Sequence, residues 1–343
     1  MTAPTLADLP PPPPGKSGWP WTVETPPLPD TQPDGSPWPH ISIVTPSYNQ
    51  GQFIEETIRS VLLQGYPNLE YIIVDGGSTD DTVDIIHKYE RHLAYWVSEK
   101  DRGQSHAINK GMGRATGDVL AYLNSDDMYL EGALARVASY AASHPEADLI
   151  HGRCRISDES GRKVGERVGS ITQYREIIDL WEFWWRHRSF VQPEVFWTRR
   201  IASRVGLFRE DLYWVMDFDY WLRILHAGGH VGFLDTEVAM FRRQPAQKST
   251  QPERTAAELR EVVKPYIFAR HASIGLVKRV QLQGKWQFDS VFREHAERSV
   301  ELGEGRLRRW SKLTKIALRH PQLLTCKSFQ QRVWSALMPA PQK

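Results

Sequence analysis

The sequence predicts an α/β protein built on a mostly parallel sheet with helices on its faces. Two observations carry this. From Ile41 onward short apolar strands alternate with segments of helical periodicity, the order of a parallel sheet with covered faces. Several of those strands run directly into acidic or polar loops, and in such sheets ligands sit beyond the carboxyl ends of the strands.

Ile41-Ser42-Ile43-Val44-Thr45 reads as a buried strand stopped by Pro46. Phe53, Ile54, Ile58, Val61 and Leu62 then recur at helical spacing, and Gly65-Tyr66-Pro67 ends that helix. Tyr71-Ile72-Ile73-Val74 is a second strand. It runs into Asp75-Gly76-Gly77-Ser78-Thr79-Asp80, where Ser78 or Thr79 caps a helix holding Val83, Ile85 and Ile86. Tyr95-Trp96-Val97-Ser98 is a third strand, His106 to Met112 a helix, and Val119 to Leu123 a fourth strand. The second half is less regular. Leu149-Ile150-His151-Gly152 reads as a strand followed by a polar turn, Ser157 to Gly161. An aromatic patch, Trp181, Phe183, Trp184 and Trp185, precedes Val195-Phe196-Trp197. This patch suits core packing, stacking on sugar rings or a lipid surface. A helix starts near Asp217 and runs to His226, stopped by Gly228-Gly229, before a strand at Val231-Gly232-Phe233-Leu234.

Three regions follow. Residues 1–38 are proline-heavy, with an unbroken run from Pro10 to Pro14, and form a disordered or surface-draped leader. Residues 39–250 hold the strand–helix alternation, and residues 251–343 a helical, basic extension. Apolar content of 41% and charged content of 24% are ordinary for a globular protein, and a net charge of +2 gives no global preference for nucleic acid. The two cysteines, Cys154 and Cys326, form neither a disulfide framework nor a metal-ligand spacing, which fits a reducing cytoplasm. No signal-peptide core is present, and no window approaches the roughly 18 apolar residues of a membrane span.

The chemistry concentrates in Leu120-Ala121-Tyr122-Leu123-Asn124-Ser125-Asp126-Asp127, an apolar run ending in paired carboxylates. Such a pair suits Mg²⁺ or Mn²⁺ beside a diphosphate, because hard cations take oxygen ligands and share their shell with phosphates. By itself Asp-Asp after a strand also reads as a turn or helix cap. Thr45-Pro46-Ser47-Tyr48-Asn49, between a strand and a helix, offers an anion or nucleotide seat but lacks the Gly-x-Gly-x-x-Gly and Gly-Lys-Ser/Thr fingerprints. Asp75 can meet a base or ribose hydroxyl, and Gly76-Gly77 permits close backbone approach. Arg102 and Lys110 offer positive charge to phosphate, and Gln104 reaches base or ribose. In Met216-Asp217-Phe218-Asp219 one carboxylate can cap the helix or pair with Arg223, while a cleft carboxylate shielded by aromatics can act as general base.

Taken together these segments resemble the family 2 glycosyltransferases, the inverting enzymes with the GT-A fold. The resemblance runs over residues 40–250. It is carried by Val44-Thr45-Pro46-Ser47-Tyr48-Asn49, Val74-Asp75-Gly76-Gly77-Ser78-Thr79-Asp80, Asp101-Arg102-Gly103-Gln104-Ser105, Ala107-Ile108-Asn109-Lys110-Gly111, Ala115-Thr116-Gly117-Asp118, Leu123-Asn124-Ser125-Asp126-Asp127, Gly206-Leu207-Phe208 and Met216-Asp217-Phe218-Asp219-Tyr220-Trp221-Leu222-Arg223. It implies a nucleotide pocket lined by Thr45, Pro46, Tyr48 and Asp75, with Gln104 and Lys110 nearby. It further implies Asp126 on the ribose or diphosphate, Asp127 on a Mg²⁺ or Mn²⁺ ion, and Asp217 as the base. Two departures stand out. Met216 replaces the usual acid before the base, and Gln244 stands where the family often carries histidine, so a third protein ligand to the metal is not expected.

The implied reaction moves a sugar from a nucleotide diphosphosugar to an acceptor hydroxyl on a glycan or lipid-linked saccharide, in cell-surface polysaccharide synthesis. The alternatives are a sugar nucleotidyltransferase, whose Gly-rich basic loop is missing after the first strand, and an inactive nucleotide- or carbohydrate-binding protein, supported only by Met216 and Gln244. The tail from Arg306 to Lys343 carries Arg306, Arg308, Arg309, Lys312, Lys315, Arg319, Lys327 and Arg332 and no acid. Leu307, Trp310, Leu313, Ile316, Ala317, Phe329, Val333, Trp334 and Leu337 interleave with them. This pattern fits either a helical cap or peripheral attachment of a cytoplasmic protein to an anionic membrane face. Nucleic acid is not an expected partner.

Overall fold

In a computed structural model of the chain, residues 3–245, 247, 251–269, 274–292, 306–327, 329 and 330 are described. Strands β1 (Ile41–Ser47), β2 (Leu69–Asp75), β3 (Tyr95–Ser98) and β4 (Val119–Tyr122) pair in parallel in the order β3-β2-β1-β4. All seven residues of β1 are buried, as expected of a central strand covered on both faces, which explains why its sequence does not alternate. The second half adds β5 (Met128–Tyr129), β6 (Ala147–Ser157), β7 (Lys163–Val168), β8 (Val195–Thr198) and β9 (His230–Arg242). The sheet continues β4-β8-β6-β9-β5, with β7 on the C-terminal half of β6. Here the pairing is mixed: β6 and β9 are parallel, whereas β8 and β5 run antiparallel to their neighbours.

Among the described residues this first unit has the α-helices α1 (Ile54–Leu62), α2 (Thr82–Tyr89), α3 (Gln104–Met112), α4 (Ala133–Ser143), α5 (Tyr174–Ile177), α6 (Arg199–Val205) and α7 (Met216–His226). α3 lies so close to β1 that a Cβ on Gly111 would come 2.4 Å from Val44 Cγ1, so only glycine fits there. Three sequence expectations change. Pro46 does not stop β1, which runs on to Ser47 beside Asp75. The entry to α2 is not capped by Ser78 or Thr79: Ser78 Oγ donates to Asp75, and Asp80 Oδ1 accepts from Thr82 N (3.1 Å) instead. The strand expected at 231–234 runs on to Arg242, because β6 offers it a partner from Ala147 to Ser157.

Residues 3–38 drape over α1. A proline-rich backbone has few N–H donors of its own, so several of its carbonyls need outside donors. Arg59, wholly buried on α1, supplies them to Pro10 O (2.9 Å), Pro20 O (3.0 Å) and Trp21 O (3.0 Å). Thr25 N donates to Leu63 O (3.0 Å) and Leu28 N to Gly65 O (2.9 Å), while Trp21 and Trp38 are buried.

A second unit, taken by itself, comprises residues 178–181 and 253–343. Its described elements are α8 (Pro252–Phe268), α9 (Leu276–Gln287) and α10 (Arg306–Arg319), with a short 3-10 turn at Pro321–Thr325. Buried Asp179 accepts from Lys278 (2.5 Å) and Lys285 (2.9 Å). Phe288, Leu323, Cys326 and Phe329 form a small core, and Ile316 and Ala317 of the basic tail pack on it. Arg332, Val333, Trp334 and Leu337 lie outside the described residues. Among the described residues no helix is long and apolar enough to cross a membrane.

In the first unit His151, only 2% exposed, sits between the rings of Phe190 (4.7 Å) and Phe233 (4.9 Å). Burial pushes its imidazole down from 6.5 to about 4. The folded protein therefore holds a neutral ring that the unfolded chain would protonate. Stability is full above 6.5 and falls as pH drops toward 4, by roughly 3 kcal/mol. His151→Phe is expected to flatten this part of the profile in urea denaturation at a series of pH values. An unchanged acid slope would show that the buried ring is not the cause.

Candidate active site

The parallel register aligns the ends of three strands: Ser47 lies opposite Asp75, and Asp75 opposite Ser98. Asp75 is completely buried and surrounded by donors from its own loops: Gly77 N (3.0 Å), Ser78 N (2.8 Å), Ser78 Oγ (2.5 Å) and Ser98 Oγ (2.7 Å). Its carboxylate thus organises the loop after β2. Gly76 allows Asp101 to approach, since a Cβ there would stand 2.7 Å from Asp101 Oδ2 and 3.4 Å from the Tyr48 ring. Tyr48 itself is 59% exposed above this loop. Thr45 points into the sheet and bonds Tyr71 OH (3.0 Å), and Pro46 is buried in β1 beside Val74. Lys110 is paired with Glu99 (2.6 Å) and Arg102 with Glu210 (2.7 Å). Neither cation is poised alone for phosphate.

At the end of β4 the chain turns through Asn124 to the two acids. Gln104 Nε2 donates to Asn124 Oδ1 (2.6 Å), and Asn124 Nδ2 donates to Gln192 Oε1 (3.0 Å) and more weakly toward Asp127 Oδ2 (3.4 Å). Asp127 is 1% exposed, and its Oδ1 accepts from Arg242 N (2.9 Å). Burial first, and the neighbouring Asp126 second, push its carboxyl well above the usual carboxylate range. Asp126 is half-buried, and its Oδ2 accepts from Gln244 Nε2 (2.7 Å).

Asp217 and Asp219 divide their work as the alternating faces of a helix start allow. Asp219 is buried and paired with Arg223 (2.8 Å). Asp217 stays half-buried in the first turn of α7, with Oδ1 accepting from Phe218 N (2.7 Å). Met216 packs into the core. The phenol of Tyr122, buried at the end of β4, is pushed up by burial and then by the charges of both Asp217 and Asp127. Tyr122 also packs edge-on against Phe208 (5.5 Å), which stacks on Tyr220 of α7 (4.0 Å), so the helix that carries Asp217 lies beside the end of β4 that leads to Asp127, although 90 residues of sequence separate the two acids.

The residues present fit a divalent cation. Among the described residues no group of three or more His, Cys, Asp or Glu forms a complete protein cage. An ion of the Mg²⁺ or Mn²⁺ type needs only one or two carboxylates when substrate phosphates and water fill the rest of its shell. A buried acid beside a second acid is also a site whose charge a cation offsets. Gln244 is turned to Asp126 as a hydrogen-bond donor.

Residues 42–248, more than half of the chain, match the sequence profile of the glycosyl transferase family 2. The chain belongs to that family. A Bacillus subtilis (strain 168) protein named for teichuronic acid biosynthesis is 43% identical over 103 residues, 29% of this chain and 40% of its own length. A PGL/p-HBAD biosynthesis glycosyltransferase of Mycobacterium bovis (strain BCG / Pasteur 1173P2) is 29% identical over 189 residues, 54% of this chain and 69% of its own. The chain therefore spans less than half the length of the first of these relatives. In fold, the chain is similar to S. aureus TarS 1-349 solved with UDP-GlcNAc (TM-score 0.56, 19% identity, 73% of each chain). It is also similar to the mannosyltransferase PcManGT from Pyrobaculum calidifontis solved with GDP-Man and Mn²⁺ (TM-score 0.54, 18% identity, 88% of this chain and 89% of that one). The family 2 chain thus has the GT-A fold that its motifs imply.

Sequence reasoning missed several residues of this family 2 site. Gln192 holds Asn124 and donates to Tyr122 O (2.6 Å). Asn109 clamps the backbone of Phe208 from both sides, at 2.9 Å each way, and so fixes the loop that leads to Asp217. Arg242 was visible beside Gln244 in the sequence, but its partners are too distant in the chain to be guessed. The aromatic patch is divided: Phe183 is buried and Trp184 packs edge-on against Phe218 (5.5 Å). Asp75→Asn would place an amide donor among the donors that surround Asp75. It is expected to lower stability by about 2–4 kcal/mol in denaturant titration. A loss under about 0.5 kcal/mol, the range of an indifferent surface change, would remove the loop-organising role.

Proposed function

We propose that this chain is an inverting, metal-assisted glycosyltransferase that moves a sugar from a nucleotide diphosphosugar to an acceptor hydroxyl. The observation that carries the reading is the packing of α7, with Asp217 in its first turn, beside the end of β4 that leads to Asp127, in a chain of this family. Asp217 is the general base: it takes the acceptor proton while the acceptor oxygen bonds to the anomeric carbon. The bond from that carbon to the diphosphate breaks, and nucleoside diphosphate leaves. Asp127, with Asp126 beside it, would hold Mg²⁺ or Mn²⁺, which when bound supplies Lewis-acid stabilisation of the departing diphosphate. Asp126 also faces the ribose or diphosphate. Tyr48 covers the nucleotide, on a floor shaped by Thr45, Pro46 and Asp75, with Gln104 and Lys110 at its margin.

The nucleotide-sugar class of donor is supported by the UDP-GlcNAc and GDP-Man held by the two structures of like fold. A glycan or lipid-linked acceptor in cell-surface polysaccharide synthesis is supported by the biosynthetic names of the relatives. Losing a general base costs about 10²–10⁴-fold in rate. Asp217→Asn is therefore expected to keep donor binding while nucleoside diphosphate release collapses by that factor, and EDTA to abolish release until Mn²⁺ or Mg²⁺ is restored. Near-normal turnover in the variant removes Asp217 from the chemistry, and full activity in chelator removes the metal.

Peripheral attachment to anionic lipid is a separate part of the proposal, supported by the acid-free basic tail. Truncation is a poor test, because Ile316, Ala317 and Phe329 help build the second unit's core. Lys315, Leu318 and Arg319 are exposed, so Lys315→Glu with Leu318→Asp and Arg319→Glu leaves that core intact. The triple variant is expected to lose co-sedimentation with phosphatidylglycerol vesicles. Retained binding would clear the tail of this role.

A further inference from the structure

β5 is two residues long, and it begins directly after Asp127. It lies at the end of the sheet, where β9 is its strand neighbour. A strand this short at an edge is weakly held, and the backbone groups it turns outward need partners. At Tyr129 both are satisfied off the sheet. Its N–H donates to Ser60 Oγ of α1 (3.2 Å), and its carbonyl accepts from the indole Nε1 of Trp19 (2.9 Å). Trp19, in the proline-rich leader, therefore stands where a further strand would. Its ring also packs on the cluster of Met128, Leu130 and Met240. Met128 follows Asp127, and Met240 lies opposite Met128 on β9, two residues before Arg242. One side chain thus touches both strands that meet at the bond from Arg242 N to Asp127 Oδ1 (2.9 Å). The leader is fastened around this tryptophan. Arg59 holds Pro10 O and Pro20 O on either side of it, and Thr25 Oγ1 accepts from Gly132 N (2.9 Å) in the loop after β5.

We infer that Trp19 is a positioning residue for the paired acids: its ring and N–H clamp β5 against β9 and so hold Asp127 on Arg242, ready for a cation. A tryptophan that served burial alone would place no demand on its N–H, whereas this one is spent on a carbonyl two residues beyond Asp127. Thr57 Oγ1 takes the neighbouring carbonyl, Asp127 O (2.7 Å), so the segment from Asp127 to Tyr129 is fixed from α1 and from the leader together. That the acids so held take a cation rests on the sugar-transfer reading; the clamp on β5 does not.

The test is amide hydrogen exchange of the full chain by mass spectrometry, without metal or donor, beside titration with Mn²⁺ and inorganic pyrophosphate followed by electron paramagnetic resonance. Trp19→Ala is expected to speed exchange in the segments around β5 and the end of β9 by about tenfold or more beyond any rise in β1, the internal reference for global opening. Trp19→Phe keeps most of the ring and loses the donor, so its exchange should fall between wild type and Trp19→Ala. It also carries the test if the alanine variant does not fold. Mn²⁺ should bind Trp19→Ala about tenfold more weakly than wild type, the lower end of what is lost when the support behind a metal ligand is removed. Exchange that is unchanged in both segments, or raised equally in β1, overturns the clamp. Raised exchange with unaltered Mn²⁺ affinity overturns the positioning role. A wild type that takes up no Mn²⁺ overturns the metal of the sugar-transfer reading, while the exchange result still decides the clamp. None of these readouts depends on turnover, so they separate from the Asp217 test.

Discussion

The Arg242 side chain and backbone together hold the acidic end of β4 in place. Its N–H caps Asp127, its Nε donates to Asp126 O (3.0 Å), and its other nitrogens reach Glu159 O (2.9 Å) and the Glu56 carboxylate (2.6 Å). The residue is 3% exposed, so these bonds form away from competing water. Two adjacent carboxylates repel one another, and a turn carrying them would open without a cation fixed behind it. Through Glu56 the same guanidinium ties the last residues of β9 to α1, and so joins the first strand–helix unit of the sheet to its last strand.

A different logic governs the loops proposed to hold the nucleotide. There the loops after β1 and β2 are laced directly to each other: Asn49 N donates to Ser78 Oγ (2.7 Å), Thr79 N to Asn49 Oδ1 (2.9 Å), Gln50 N to Thr82 Oγ1 (2.8 Å) and Gly51 N to Asp80 Oδ2 (2.9 Å). Asp75 sits beneath this lattice and satisfies its amides. The loops are therefore braced by the chain's own hydrogen bonds, which reduces the ordering cost of binding.

The sequence made the parallel half of the sheet legible because β1, β2 and β4 carry the short apolar runs Ile43-Val44, Tyr71 to Val74 and Val119 to Tyr122, each followed by a polar loop. It hid β7, an exposed edge strand whose Lys163, Glu166 and Arg167 give no apolar alternation, and β5, only two residues long. The acids Asp126, Asp127 and Asp217 could be picked out because each follows or opens an element at a recognisable junction. Which of Asp217 and Asp219 stays partly exposed could not be read from the residues themselves, since that depends on Arg223 and Arg209 closing on Asp219. Likewise Arg102 and Lys110 read as phosphate ligands until Glu210 and Glu99 are seen to neutralise them. Partners that are distant in the chain decide such cases, and local pattern carries no record of them.

Helix α1 gives the N-terminal segment a say in the active site. Arg59 grips the leader, while two residues earlier Thr57 Oγ1 donates to Asp127 O (2.7 Å), and Glu56 anchors Arg242 and accepts from Trp21 Nε1 (3.3 Å). One turn of helix thus serves as a common hinge pin for a tether and for the paired carboxylates Asp126 and Asp127. A protein cut back beyond Trp21 would not simply be shorter; of its hydrogen-bond partners among the described residues, its Arg59 would keep only Tyr89 OH (3.2 Å), on the very rod that carries Glu56 and Thr57.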